Sequence, residues 1–213
     1  MSLLPIFLRL ARRPVLVVGA GTVALAKIES LRHAGAAITV VAPAGAPQFN
    51  ELVENGTVTW HQRTFVPADL NGVFLVIAAT NDPAINHVVY EEALRRNVLC
   101  NAVDDPPNCD FYFGSVVARG DLQIAISTAG ESPALAQRLR REIDEQLPRD
   151  LGPWLHELGG LRREIRETTP PSPQRNLLLH ELAHRSLCSS ANCPTRQFAA
   201  EQAVALHHAE VTR

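Results

Sequence analysis

No stretch of this chain stays apolar for the roughly 18 to 20 residues that a bilayer span requires, so no membrane segment is expected. Cysteine is scarce, with four in 213 residues. That excludes a disulfide scaffold and points to the reducing cytoplasm. Neither charge sign dominates: 20 Lys plus Arg against 22 Asp plus Glu leave a net charge of −2. Broad electrostatic attraction to nucleic acid is therefore excluded as a default. Lysine is nearly missing, since 19 of the 20 cations are arginine, many in the C-terminal half. A secretory signal is not expected either, because arginines follow the short apolar opening stretch instead of preceding it. What remains is an ordinary globular composition, 46% hydrophobic and 20% charged, long enough for one or two domains with a real core.

Four continuous apolar runs read as strands covered on both faces: Pro14 to Gly19, Ala36 to Pro43, Val73 to Thr80 and Val98 to Val103. A more polar run, Gly56 to Phe65, reads as a strand nearer an edge. Helical spacing of Val23, Ala26, Ile28 and Leu31, stopped by Gly35, fills the first interval. Pro83 and the stripe Ile85, Val88, Val89 and Leu94 fill the interval before the fourth run. Alternating strands and crossover helices predict an α/β, Rossmann-like parallel sheet. After about Asp110 the pattern changes to a hairpin, Phe111 to Ala118 and Leu122 to Thr128, turning at Arg119-Gly120-Asp121. A long helix follows, with Ser132 as cap, Pro133 in its first turn, Leu135, Leu139, Ile143 and Leu147 on one stripe, and Pro148 as stop. Further helices are expected at 153–167, 174–187 and 197–209, with a proline-rich loop at 168–173.

The sharpest motif is Gly19-Ala20-Gly21-Thr22-Val23-Ala24, directly after the first strand and opening the first helix. This is the GxGxxA form of the dinucleotide fingerprint. Gly19 permits the turn, Gly21 lets a pyrophosphate approach, and Ala24 allows close helix–strand packing. Its acidic partner is missing. The second run ends Val41-Ala42-Pro43-Ala44-Gly45, with neither a carboxylate for ribose hydroxyls nor an arginine for a 2′-phosphate. The ribose must be held by backbone or by distant residues, and NAD over NADP rests on spacing alone.

Asp104 and Asp105 follow the fourth run, at the edge where ligands of doubly wound sheets collect. Adjacent side chains in extended chain point apart, so one faces the cleft as a candidate base and the other faces solvent. Both also suit a turn before Pro106. Cys100 reads as a small buried hydrophobe. His180-Glu181-Leu182-Ala183-His184 spells HExxH, a zinc-hydrolase pattern when it lines a cleft. It lies in a short tail after proline-rich breaks and beside Leu177 and Leu178, so helical packing is the reading and no metal site is expected.

Five segments together resemble the siroheme synthase N-terminal module, the precorrin-2 dehydrogenase family. They are Leu4 to Phe7, Val17 to Lys27, Ala78 to Asp82, Cys100 to Asp105 and Ile126 to Ala136. The likeness covers about residues 3 to 150. It implies three domains: an NAD-binding Rossmann-like domain (1–110), a small α+β dimerisation domain of hairpin plus helix (111–150) and a helical C-terminal domain (151–213). It implies NAD-dependent oxidation of precorrin-2 to sirohydrochlorin, in some relatives with ferrous ion inserted as a second substrate, by a cytoplasmic homodimer. The family's catalytic aspartate falls on Asp104 and its dinucleotide contacts on Thr22, Val23, Pro43 and Ala44. With Gly19, Gly21 and Thr80 these make the expected cofactor-binding set. Its phosphorylated serine falls on Thr128. Arg119, Arg138, Arg140 and Arg141 are candidate partners for the substrate's carboxylates. The competing reading is a non-enzymatic dinucleotide-sensing regulatory module.

Overall fold

Strand formation in the first apolar run follows from cover on both faces. Pro14–Val18 (β1) buries Val15, Leu16, Val17 and Val18 almost completely in a computed structural model, which describes residues 3–183. The chain continues through Thr22–His33 (α1), Ala37–Val41 (β2), Gln48–Glu54 (α2), Val58–His61 (β3), Leu75–Ala78 (β4), Pro83–Arg96 (α3) and Leu99–Ala102 (β5). The five strands form one parallel sheet in the order β3-β2-β1-β4-β5. Alternation along β1 sorts the core. Val15 and Val17 pack with Ala24, Ile28 and Leu31 of α1, while Leu16 and Val18 pack with Val89 and Ala93 of α3. The chain steps outward from β1 through β2 and β3, then returns to β4 on the other side. That reversal leaves a crevice at the carboxyl ends of β1 and β4.

The polar fifth run is an edge strand as expected, although only Val58–His61 pair. Helix α2 was not expected. It is seven residues long and buries only Phe49, too short to show a periodic stripe. Tertiary packing holds it: Phe49 lies 5.6 Å from the Trp60 ring, and Trp60 Nε1 donates to the Ala42 carbonyl at 3.1 Å. Asp82 caps α3 by accepting from the Ala84 amide at 2.9 Å, with Pro83 in the first turn. On the far edge, β5 is closed by the returning chain. Asp110 N donates to the Cys100 carbonyl at 2.8 Å, and Cys100 N donates to Asp110 Oδ2 at 2.9 Å.

The chain divides into two compact units between Phe113 and Gly114. The second holds the hairpin Ser115–Arg119 (β6) and Leu122–Ile126 (β7), then Pro133–Gln146 (α4), Leu151–Thr168 (α5) and Pro173–Ala183 (α6). Ser132 Oγ accepts from the Leu135 amide at 3.2 Å, the cap that the spacing predicts. Arg119 departs from expectation. It is buried, and its guanidinium donates to Asp144 Oδ1 and to the Asp144 carbonyl, both at 2.7 Å. It ties the hairpin to the end of α4 and has no donor left for a ligand carboxylate at the surface. Helix α5 starts two residues before Pro153, which the first turn tolerates. Leu178 and Leu182 of α6 pack against Leu161 and Ile165 of α5. His180 and Glu181 are exposed on α6, as a packing helix places them. His184, residues 185–187 and the helix expected at 197–209 lie outside the described residues.

Candidate active site

The glycine loop takes its shape from a close backbone approach. Gly19 has φ +111°, and a Cβ there would stand 2.3 Å from the Ala79 carbonyl oxygen. The loops after β1 and β4 therefore pass in direct contact, which only glycine permits. Gly21 is different. A Cβ there would meet nothing within 4 Å, so the space before α1 is open. No side chain caps α1, and no acidic residue lies in its first turn. Its first amides are therefore available to an anion, and the helix dipole favours one. These features fit a pyrophosphate.

A cavity of about 560 Å³ opens at this point. It is walled by Gly19 to Gly21, by the loop Val41 to Ala46, and by Ala79 to Asp82, with Thr64, Phe65 and Ile85. Of the expected residues, Gly19, Gly21, Pro43, Ala44 and Thr80 share this wall. Thr22 and Val23 are exposed in the adjoining first turn of α1 and do not line it. Asp82 supplies a carboxylate to the wall, but that group is engaged in capping α3. The wall contains no lysine or arginine.

The third loop is held by a residue that sequence reasoning missed. Asn86, buried on α3, accepts at Oδ1 from the Thr80 amide (3.1 Å) and hydroxyl (2.7 Å). Its Nδ2 donates to the Thr80 carbonyl at 3.2 Å. Three hydrogen bonds from one side chain fix the wall at Thr80. Nothing in the sequence pattern marks Asn86, because its role depends on the loop folding back over α3.

Asp104 does not line the cavity. It stands at the same sheet edge on the neighbouring strand. Ala78 and Ala102 are paired in register, and Thr80 and Asp104 each follow two residues later. Asp104 is exposed with φ +58°, and no hydrogen bond or ion pair reaches its carboxylate among the described residues. Asp105 is the turn former: its Oδ2 accepts from Asn108 Nδ2 at 2.6 Å. Cys109 donates to the carbonyls of Ala102 (3.0 Å) and Asp105 (3.3 Å), and burial pushes its thiol up. Cys100 is fully buried, which pushes its thiol up to about 12. Lys27 of α1 is half-buried. Its Nζ lies 4.0 Å from the centroid of the Phe113 ring. Burial pushes the ammonium below its ordinary range, and the charges of Asp104 and Cys109 act in the opposite direction.

Among the described residues there is no group of three or more His, Cys, Asp or Glu placed to hold a metal ion, and no helix is long and apolar enough to cross a membrane.

Residues 6–115 match the family described as putative NAD(P)-binding, and residues 119–146 match the sirohaem biosynthesis protein central family. Siroheme synthase 1 of Cronobacter sakazakii is 49% identical over 162 residues, which cover 76% of this chain and 34% of that protein. Siroheme synthase of Zymomonas mobilis is 42% identical over 177 residues, covering 83% of this chain and 38% of that protein. The chain thus spans about a third of the length of the curated relatives it matches. Among solved structures, the precorrin-2 dehydrogenase SirC superposes with a TM-score of 0.77 at 28% identity, covering 94% of this chain and 98% of that one. The matched domain and the fit of the cavity make a nicotinamide dinucleotide the cofactor. A glycine loop at the switch point of a parallel sheet, followed by the sirohaem central region, places this chain in the siroheme synthase N-terminal and precorrin-2 dehydrogenase family.

Proposed function

We propose that this chain oxidises precorrin-2 to sirohydrochlorin with NAD⁺. The carrying observation is the pairing of two features on adjacent strands: an open pyrophosphate cradle at the end of β1 and β4, and an unengaged carboxylate, Asp104, past the end of β5. The likeness to a precorrin-2 dehydrogenase over 98% of that chain supports the same reading. Gly19, Gly21, Thr22 and Val23 would hold the pyrophosphate, and Pro43, Ala44 and Thr80 the flanking groups. The wall offers no cation to a 2′-phosphate, which favours NAD over NADP. When bound, the nicotinamide supplies a hydride acceptor. Oxidation removes one hydride and one proton from the macrocycle, and Asp104 takes the proton and passes it to water. Inserting Fe²⁺ would release two pyrrole protons, and the same carboxylate can relay them.

A cytoplasmic homodimer accompanies this reading. The 1–110 domain would carry the cofactor, 111–150 would be the dimerisation domain and 151–213 the helical C-terminal domain. The outer face of the hairpin supports pairing, since Val116, Ala118 and Ala125 are exposed there on alternate residues.

The test supplies precorrin-2 with NAD⁺ or NADP⁺ and follows the reduced cofactor. We expect turnover with NAD⁺, and a loss of at least about a hundredfold in Asp104→Ala with dinucleotide affinity retained. Unchanged turnover in Asp104→Ala would refute the base role. Adding ferrous ion to sirohydrochlorin, against a control without enzyme, tests insertion. Light scattering on a sizing column tests the dimer.

A further inference from the structure

Asp104 is the third residue of a turn from Ala102 to Asp105, closed by the Asp105 amide donating to the Ala102 carbonyl at 3.2 Å. That place in the turn gives it φ +58°. Glycine adopts this left-handed conformation freely, whereas a residue with a side chain keeps it only where its surroundings hold it. The mechanism above depends on the turn, since its backbone is what aims the Asp104 carboxylate.

The Cys109 side chain bonds to both ends of this turn. Its sulfur lies 3.0 Å from the Ala102 carbonyl oxygen and 3.3 Å from that of Asp105, so its one proton is shared between the two. Burial pushes the thiol up, so at neutral pH it keeps that proton and remains a donor. The sulfur is in turn fixed from the sheet. Asn101 of β5, itself buried, donates from Nδ2 to Cys109 Sγ at 3.3 Å and to the Phe111 carbonyl at 2.8 Å. Next to it, the Asp110 amide and carboxylate bond to the Cys100 backbone on the same strand. Cys109 thus carries the position of β5 over to the turn.

We propose that Cys109 is a positioning residue for the dehydrogenation: its thiol, bonded to the Ala102 and Asp105 carbonyls, holds the left-handed turn that aims Asp104 at the substrate. The proposal rests on the reading of Asp104 as the proton acceptor. It gives the thiol no redox or metal chemistry, since no bond to sulfur forms or breaks. It does not involve the dinucleotide cavity, whose wall excludes Cys109.

Cys109→Ala and Cys109→Val both remove the donor, and the second keeps the side-chain volume; Cys109→Ser keeps a donor. With precorrin-2 and saturating NAD⁺, kcat should fall about fivefold in the alanine and valine variants and stay within about twofold of wild type in Cys109→Ser. The dissociation constant of reduced dinucleotide should keep its wild-type value in all three, which also reports correct folding of the sheet unit. A wild-type kcat in Cys109→Val, or a serine variant as slow as the valine one, would overturn the proposal. On an Asp104→Asn background, Cys109→Val should leave the residual rate unchanged, and a further fivefold loss there would refute action through Asp104. Amide hydrogen exchange reads the turn without turnover. The Asp105 amide should exchange at least about threefold faster in Cys109→Val than in wild type or Cys109→Ser, and equal rates would contradict the anchoring. If wild-type protein fails to turn over precorrin-2, the proposed reaction falls, while exchange at Asp105 still decides whether Cys109 holds the turn.

Discussion

Gly19 and Gly21 stand two residues apart in one loop and answer to different constraints. At Gly19 the conflict is internal, a Cβ against the Ala79 carbonyl at 2.3 Å with φ at +111°. Gly19→Ala should therefore destabilise the sheet unit by about 2 kcal/mol or more, read as a lower urea midpoint. At Gly21 nothing of the protein is in the way, and the constraint is the ligand. Gly21→Ala should fold within about 0.5 kcal/mol of wild type. It should weaken reduced-dinucleotide binding at least about tenfold in a fluorescence titration. Equal stability losses in the two variants would contradict this division. Asn86 supplies a third case. Asn86→Ala leaves the Thr80 amide and carbonyl without their side-chain partner, so the wall should loosen. The expected result is weaker dinucleotide binding by about fivefold or more, with kcat at saturating cofactor little changed.

Among the elements, α4 shows how far local chemistry reaches. Ser132, Pro133 and the four-residue spacing of Leu135, Leu139, Ile143 and Leu147 predict its start and extent, and the cap forms as expected. Ser132→Ala should lower stability by about 1 kcal/mol, followed by far-ultraviolet circular dichroism in urea. No loss at all would show that tertiary contacts alone hold the first turn. Helix α2 is the converse. Its single buried residue, Phe49, acquires meaning only against Trp60, eleven residues on in another element. The hairpin is intermediate: its turn is visible in Arg119-Gly120-Asp121, but the burial of Arg119 against Asp144 is not. An arginine beside a turn reads as solvated surface until α4 returns over it.

Over the described residues as a whole, arginine is the side chain that pairs with Asp69, Glu92 and Asp144, and this sets the response to acid. Hydrogen bonds from Arg63, Arg96 and Arg119 hold the carboxyls of Asp69, Glu92 and Asp144 below their ordinary range. A carboxyl lowered in the folded state contributes stability that is complete above its unfolded value, near about 4, and lost as pH falls through the folded value. Stability measured by denaturant should thus be flat from about pH 7 to 5 and fall below about pH 4. A decline beginning near pH 6 would assign acid sensitivity to other groups. The sequence by itself determined the parallel sheet, its two long crossover helices and the glycine loop, because covered strands, caps and tight turns each leave a local, periodic trace. It also marked Asp104 as a carboxylate at a strand end. Only the tertiary structure decided what surrounds these residues: Asn86 clamping Thr80, Gly19 pressed on Ala79, and the Lys27 ammonium over the Phe113 ring. Those contacts join residues on separate elements, and no periodicity along the chain encodes the distance between them.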